Sequence, residues 1–112
     1  MKEFMAFLED KIAEGKAETA ALEADGRKDD ANFAKIRTNI YDICRTVTRT
    51  LVDRPGAGIG AVKAQLDRFH AGWSEALERA KRHDDINAVT VEETKLAALE
   101  DIVARFQEVT GV

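Results

Sequence analysis

The residues from which chemistry could be built are few: two histidines, one cysteine, one tryptophan, one tyrosine and a run of glycines. His70 follows Asp67 by three positions, and His83 precedes Asp84 and Asp85. A carboxylate-bridged metal centre in a helical protein draws Glu and Glu-x-x-His from several helices onto inward faces. In this sequence no acidic residue occupies the centre of an apolar stripe, so no metal and no cofactor is expected. Cys44 lacks a neighbouring histidine, and Arg45 beside it points away from the apolar face. A nucleophilic cysteine needs a base and an electropositive, accessible setting; packing between Ile40 and Val47 is the expectation here. Trp73, at the middle of an apolar stripe, is expected to fill the core with its indole N–H in need of a partner.

Two patterns point outward. Gly56-Ala57-Gly58-Ile59-Gly60 opens a helical segment, with Arg54 before it and Lys63 after it. Glycine-rich turns at helix starts can hold anions on backbone N–H groups. The nucleotide fingerprints require a strand ahead of the loop, or a Gly-Lys-Ser/Thr ending, and neither is present. A plain connector is the simpler reading, with Arg54, Gly58, Gly60 and Lys63 as a weak anion-site candidate. The second pattern is Arg37, Tyr41, Arg45 and Arg49, an i, i+4 line amid threonines. Arginine and tyrosine are enriched where proteins bind one another, which makes this line the candidate interaction surface. A solvated helix face is the plainer alternative.

These residues must be positioned by helices. The 112 residues include one proline and seven glycines, 45% hydrophobic and 34% charged, too few turn formers for a β-sandwich. Apolar residues recur at spacings of three and four in four segments. Phe4, Leu8, Ile12 and Leu22 mark the first, followed by Gly26. Phe33, Ile36, Ile40, Ile43, Val47 and Leu51 mark the second, which stops at Pro55. Ile59, Val62, Leu66, Phe69 and Trp73 mark the third. Leu96, Leu99, Ile102, Phe106 and Val109 mark the fourth, with Thr90-x-x-Glu93 read as its capping box. The expected helices span roughly 2–24, 29–53, 59–83 and 91–109. Short connections make neighbours antiparallel, so the expectation is an all-α, single-domain, up-down four-helix bundle.

Charge is distributed unevenly around a net value of −4. Residues 1–26 hold three bases and seven acids, and 84–112 hold two and seven. Between them, 27–55 hold seven bases and four acids, and 56–83 hold five and three. Acidic balance argues against nucleic acid as partner. Acidic and basic helices are expected to meet at the first–second and third–fourth seams, leaving one acidic and one basic side. A single cysteine excludes an intramolecular disulfide. Acids at Glu3, Glu9 and Asp10 interrupt the opening segment, and no apolar run reaches the roughly 20 residues of a membrane span. A cytoplasmic protein without membrane contact is expected.

The functional expectation is a non-enzymatic module that binds a protein partner or a second copy of itself. The alternative is a small anionic-ligand binder using the 56–60 loop and the basic side. Enzymatic chemistry carries least weight, because the apolar stripes are uninterrupted by polar pairs.

Overall fold

All four apolar stripes become helices: α1 Lys2–Ala24, α2 Lys28–Val52, α3 Gly58–Arg82 and α4 Ile86–Thr110. The computed structural model describes residues 1–56 and 58–112; Ala57, inside the glycine loop, lies outside the described residues. The first three helices match their expected bounds within a residue. α4 starts earlier than expected. Asp85 caps it by accepting from the Ala88 N–H at 3.1 Å, which satisfies one of the four free donors of a helix start. Thr90 therefore lies inside the helix, where its hydroxyl donates to the Ile86 carbonyl at 3.1 Å. The turn before α4 is tight. Asp84 takes a left-handed conformation at φ 52°, and the Asp85 N–H donates back to the Ala80 carbonyl at 3.0 Å.

Antiparallel neighbours form a four-helix bundle, flattened to extents of 45 × 35 × 21 Å. α1 packs most extensively on α2 and α3 on α4, while α2 meets α4 across the middle. The α1–α4 and α2–α3 contacts are sparser, and α1 does not reach α3. Among the described residues, no helix is long and apolar enough to cross a membrane.

The core collects Phe4, Leu8 and Ile12 of α1, Ile40, Tyr41 and Cys44 of α2, Val62 and Leu66 of α3, and Ala98, Leu99, Ile102 and Phe106 of α4. Phe4 and Phe106 meet edge-on at 5.3 Å, an arrangement favoured by the ring quadrupoles. These residues lie toward the end that holds the starts of α1 and α3. At the opposite end the buried side chains are small: Thr19, Ala31, Ala34 and Ala80.

α2 is buried on two faces. Its large apolar stripe was expected to be the buried one, yet only Ile40 of that stripe is fully covered; Phe33, Ile36, Ile43, Val47 and Leu51 are half-buried. The second buried face carries Ala31, Ala34, Tyr41 and Thr48, which share with Thr38 the three-and-four spacing of one helix face. Thr38 lies against Gly15 of α1, and a Cβ added at Gly15 would collide with the Thr38 side chain. The Thr38 hydroxyl is already committed to the Ala34 carbonyl at 2.7 Å.

Gly15→Ala sets two effects in opposition. Helix propensity favours alanine by about 1 kcal/mol, whereas forcing atoms into a filled contact costs about 1–3 kcal/mol. We expect the collision to win, with a net loss of about 1 kcal/mol and a lower thermal midpoint. In the Thr38→Ala background the same change should become neutral or stabilising. Denaturant unfolding of the four chains of this cycle measures the difference; additive effects would exclude the close approach.

Candidate functional site

Two of the three arginines in the α2 line reach acids of α1 while remaining solvent-exposed. Arg37 pairs with Glu18 at 2.9 Å and Arg49 with Glu9 at 3.7 Å, both across the α1–α2 seam, while Arg45 pairs with Asp42 on its own helix at 2.7 Å. Lys35–Glu23 adds a third inter-helix pair at 3.6 Å. The expected acidic–basic seam between the first two helices is therefore present. No ion pair between α3 and α4 accompanies it among the described residues. The α1–α2 pairs are solvent-exposed, and exposed pairs contribute only about 0–1 kcal/mol each.

Tyr41 is buried, and its hydroxyl donates to Asp101 Oδ2 of α4 at 2.6 Å. Phe7 of α1 lies edge-on to its ring at 6.2 Å. Lys11 and Arg105 approach the Phe7 ring at 5.9 and 5.7 Å. This cluster joins α1, α2 and α4. Burial, followed by the hydrogen bond and charge of Asp101, pushes the Tyr41 phenol well above its ordinary value near 10.0. Cys44 is fully buried, and burial pushes its thiol up to about 12. Both groups are held neutral, the opposite of an activated nucleophile.

The remaining candidates are dispersed. Lys63 pairs with Asp67 at 3.1 Å. Arg54, Gly58 and Gly60 are exposed at the start of α3. Gly56 and Gly58 take positive φ angles of 78° and 73°, which makes glycine the natural residue at both positions. His70 and Asp67 line a shallow groove with Glu100, Val103, Ala104 and Gln107 of α4. Among the described residues no three His, Cys, Asp or Glu side chains are grouped so that they could hold a metal ion. Trp73 is half-buried, stacked on Phe69 at 5.1 Å, with Lys95 over its ring at 5.2 Å.

The most exposed large apolar side chain is Ile86, at 81%. It was absent from the sequence-derived surface because the fourth helix was expected to begin later. Two recesses flank the first turns of α4. One, on the α2 side, is lined by Asp29, Asn32, Phe33, Ile36, Asn87 and Val91 and holds about 360 Å³. The other, on the α3 side, includes Lys81, Ile86, Val89 and Glu93 and holds about 370 Å³. Phe33 and Ile36 sit at the start of the α2 stripe but are not among the side chains packed on the core. Asp29 lies in the first turn of α2, as its acid-rich start implies, but no side chain caps that helix. Nothing in residue type distinguished Ile86.

In comparisons with known proteins, no family model, no curated protein and no solved structure matches this chain.

Two measurements test the interior. Tyr41 is the sole tyrosine, so ultraviolet titration reads one phenol. Free tyrosine ionises near pH 10; the folded chain should show no phenolate there. The raised phenol contributes stability below its unfolded value, and that contribution is lost as pH rises beyond it. Tyr41→Phe should therefore flatten the fall of stability above about pH 10. Separately, Thr48 Oγ1 is buried with no hydrogen-bond partner among the described residues. An unsatisfied buried hydroxyl costs about 1–3 kcal/mol, so Thr48→Val should raise unfolding free energy by about 1 kcal/mol; a loss would show that the hydroxyl is bonded.

Proposed function

We propose that this chain is a non-enzymatic helical interaction module whose binding surface lies at the α3–α4 turn and the adjoining faces of α2 and α4. The observation that carries the reading is Ile86, 81% exposed on the first turn of α4, with half-covered Phe33, Ile36 and Val91 in a separate recess on the α2 side of the same turns. Water-exposed isoleucine offers about 1.5–3 kcal/mol if fully covered, and a capped helix start presents it without loop motion. The interior supports the same reading from the other side. Its two groups with shifted ionisation, Tyr41 and Cys44, are both pushed toward the neutral form, which suits packing rather than acid–base or nucleophilic work.

Arg37, Tyr41, Arg45 and Arg49 enter this proposal in a changed role. Their polar groups are engaged by Glu18, Asp101, Asp42 and Glu9, so a partner reaching the arginines competes with acids of the chain itself. The exposed guanidinium of Arg49, at 3.7 Å from Glu9, is the most readily released. The working compartment in this reading is the cytoplasm, where Cys44 stays a reduced thiol.

Native mass spectrometry of the chain isolated gently from a lysate tests the proposal. The expected result is a stoichiometric protein adduct, either a partner or a second copy. A bare monomer would overturn it. A small added mass on a monomer would instead transfer support to an anionic ligand at Arg54, Gly58, Gly60 and Lys63.

A further inference from the structure

We propose that Glu92 and Lys95, set against Trp73, act as a packing key that holds the second half of α3 in one orientation on α4. The apolar stripe of α4 begins at Leu96. One turn earlier its inward face carries a charged pair instead: Glu92 and Lys95 share with Leu99 the three-and-four spacing of one helix face. Their side chains are only 16% and 23% exposed, less than those of any other ion pair among the described residues. Lys95 Nζ donates to Glu92 Oε1 at 3.3 Å and sits over the Trp73 ring at 5.2 Å. Glu92 Oε2, 3.2 Å from the same ammonium, is buried and accepts no hydrogen bond among the described residues.

Burial of this kind does not favour stability. Taking two charges out of water costs free energy that their attraction recovers only when the remaining polar atoms are satisfied, and Oε2 is not. What the pair supplies is a directed contact where α3 has few others. Val62 and Leu66 anchor the first half of α3 in the core, but beyond them only Ala80 is buried. The α2–α3 seam is sparse. The turn from Arg82 to Ile86 fixes how far α3 lies along α4, yet by itself leaves α3 free to roll. The apolar residues there cover an arc of about 100°, with Phe69 and Ala76 at one edge, Leu66 and Leu77 at the other and Trp73 between. Rolling exchanges cover between the edges at little net change in buried area. A cation that must meet both a carboxylate and one face of an indole admits a single setting. Buried polar groups can fix the pairing of helices in this way where apolar packing alone leaves it loose. Lys81, in the last turn of α3, lines the recess beside Ile86, so the key also shapes that surface.

Trp73 is the sole tryptophan, so its near-ultraviolet circular dichroism and its indole N–H resonance both report this contact. The test is the purified full chain carrying Glu92→Leu and Lys95→Met together. Its far-ultraviolet spectrum should match the wild type, and its thermal midpoint should be equal or higher. Its indole band should fall by about half, the sign of loosened side-chain packing, and the single indole resonance should broaden or split. Lys95→Arg retains a cation suited to both carboxylate and indole and should keep the wild-type band and resonance. A double variant with the full band and one sharp resonance overturns the key. So does a double variant that melts lower or fails to fold, because the pair would then be a source of stability. Loss of the band in Lys95→Arg also overturns it, since any change at that position would then suffice.

Discussion

The close approach of α1 to α2 at Gly15 and Thr38 is the constraint on which the arrangement depends. With no side chain at Gly15, α1 settles onto the Ala31, Ala34 and Thr38 face of α2. That contact leaves the larger apolar stripe of α2 for the α3–α4 hairpin. α4 occupies the middle position against α2, and α3 is carried outward, meeting α2 only sparsely. A bundle in which four equal seams close a square would have covered Phe33, Ile36 and Val47. The flattened arrangement leaves them half-covered. One missing methyl group thus influences which apolar side chains remain accessible on the far side of the molecule.

Charge works on the same seam but at a different scale. The acids of α1 and bases of α2 meet through Glu9–Arg49, Glu18–Arg37 and Glu23–Lys35. Exposed pairs of this kind are too weak to account for the fold. Their value is in choosing among bundle arrangements of similar burial, since they set the acids of α1 against the bases of α2 while α1 meets acidic α4 only sparsely. The α3–α4 seam uses other means. Phe69 stacks on Trp73, and Lys95 lies over the indole while paired with Glu92 at 3.2 Å. The cation is partly shielded from water there, so both its ring and carboxylate contacts exceed what they would contribute at an open surface.

Large apolar residues announce their helices, and for that reason the four stripes, the antiparallel order and three sets of helix bounds were legible from spacing alone. Small residues carry no such signal. Ala31, Ala34 and Thr48 form a buried face that periodicity of Phe, Ile, Leu and Val passes over. Tyr41 was read with its arginine neighbours as surface, since its helical position places it between the two faces. The Asp101 carboxylate from a distant helix settles its orientation, and no local pattern encodes that partner. The start of α4 was missed for a related reason. Thr90-x-x-Glu93 fits a capping box, but Asp85 also offers a side-chain cap, and Ile86 through Val89 contain no residue that prevents helix. The later cap leaves Ile86 outside the expected helix, and the structure places it, exposed, on the first turn of α4.

The two ends of the bundle differ in how they are filled. Phe4, Leu8, Leu66, Ile102 and Phe106 fill one end with large side chains that exclude water completely or nearly so. The other end is closed by Thr19, Ala31, Ala34 and Ala80, whose combined volume cannot wedge the helices into a broad apolar interior. Burial at about 25 cal/mol per Å² of apolar surface makes the first end the main source of folding free energy. The second contributes less, and its half-covered apolar side chains therefore retain free energy that can be released on contact with another surface. A helix start held by Asp85 and a tight turn through Asp84 keep that surface ordered, so in the proposed interaction module binding would spend little of this free energy on ordering the chain. Stability concentrated at one end thus permits exposed isoleucine at the other without loss of the fold.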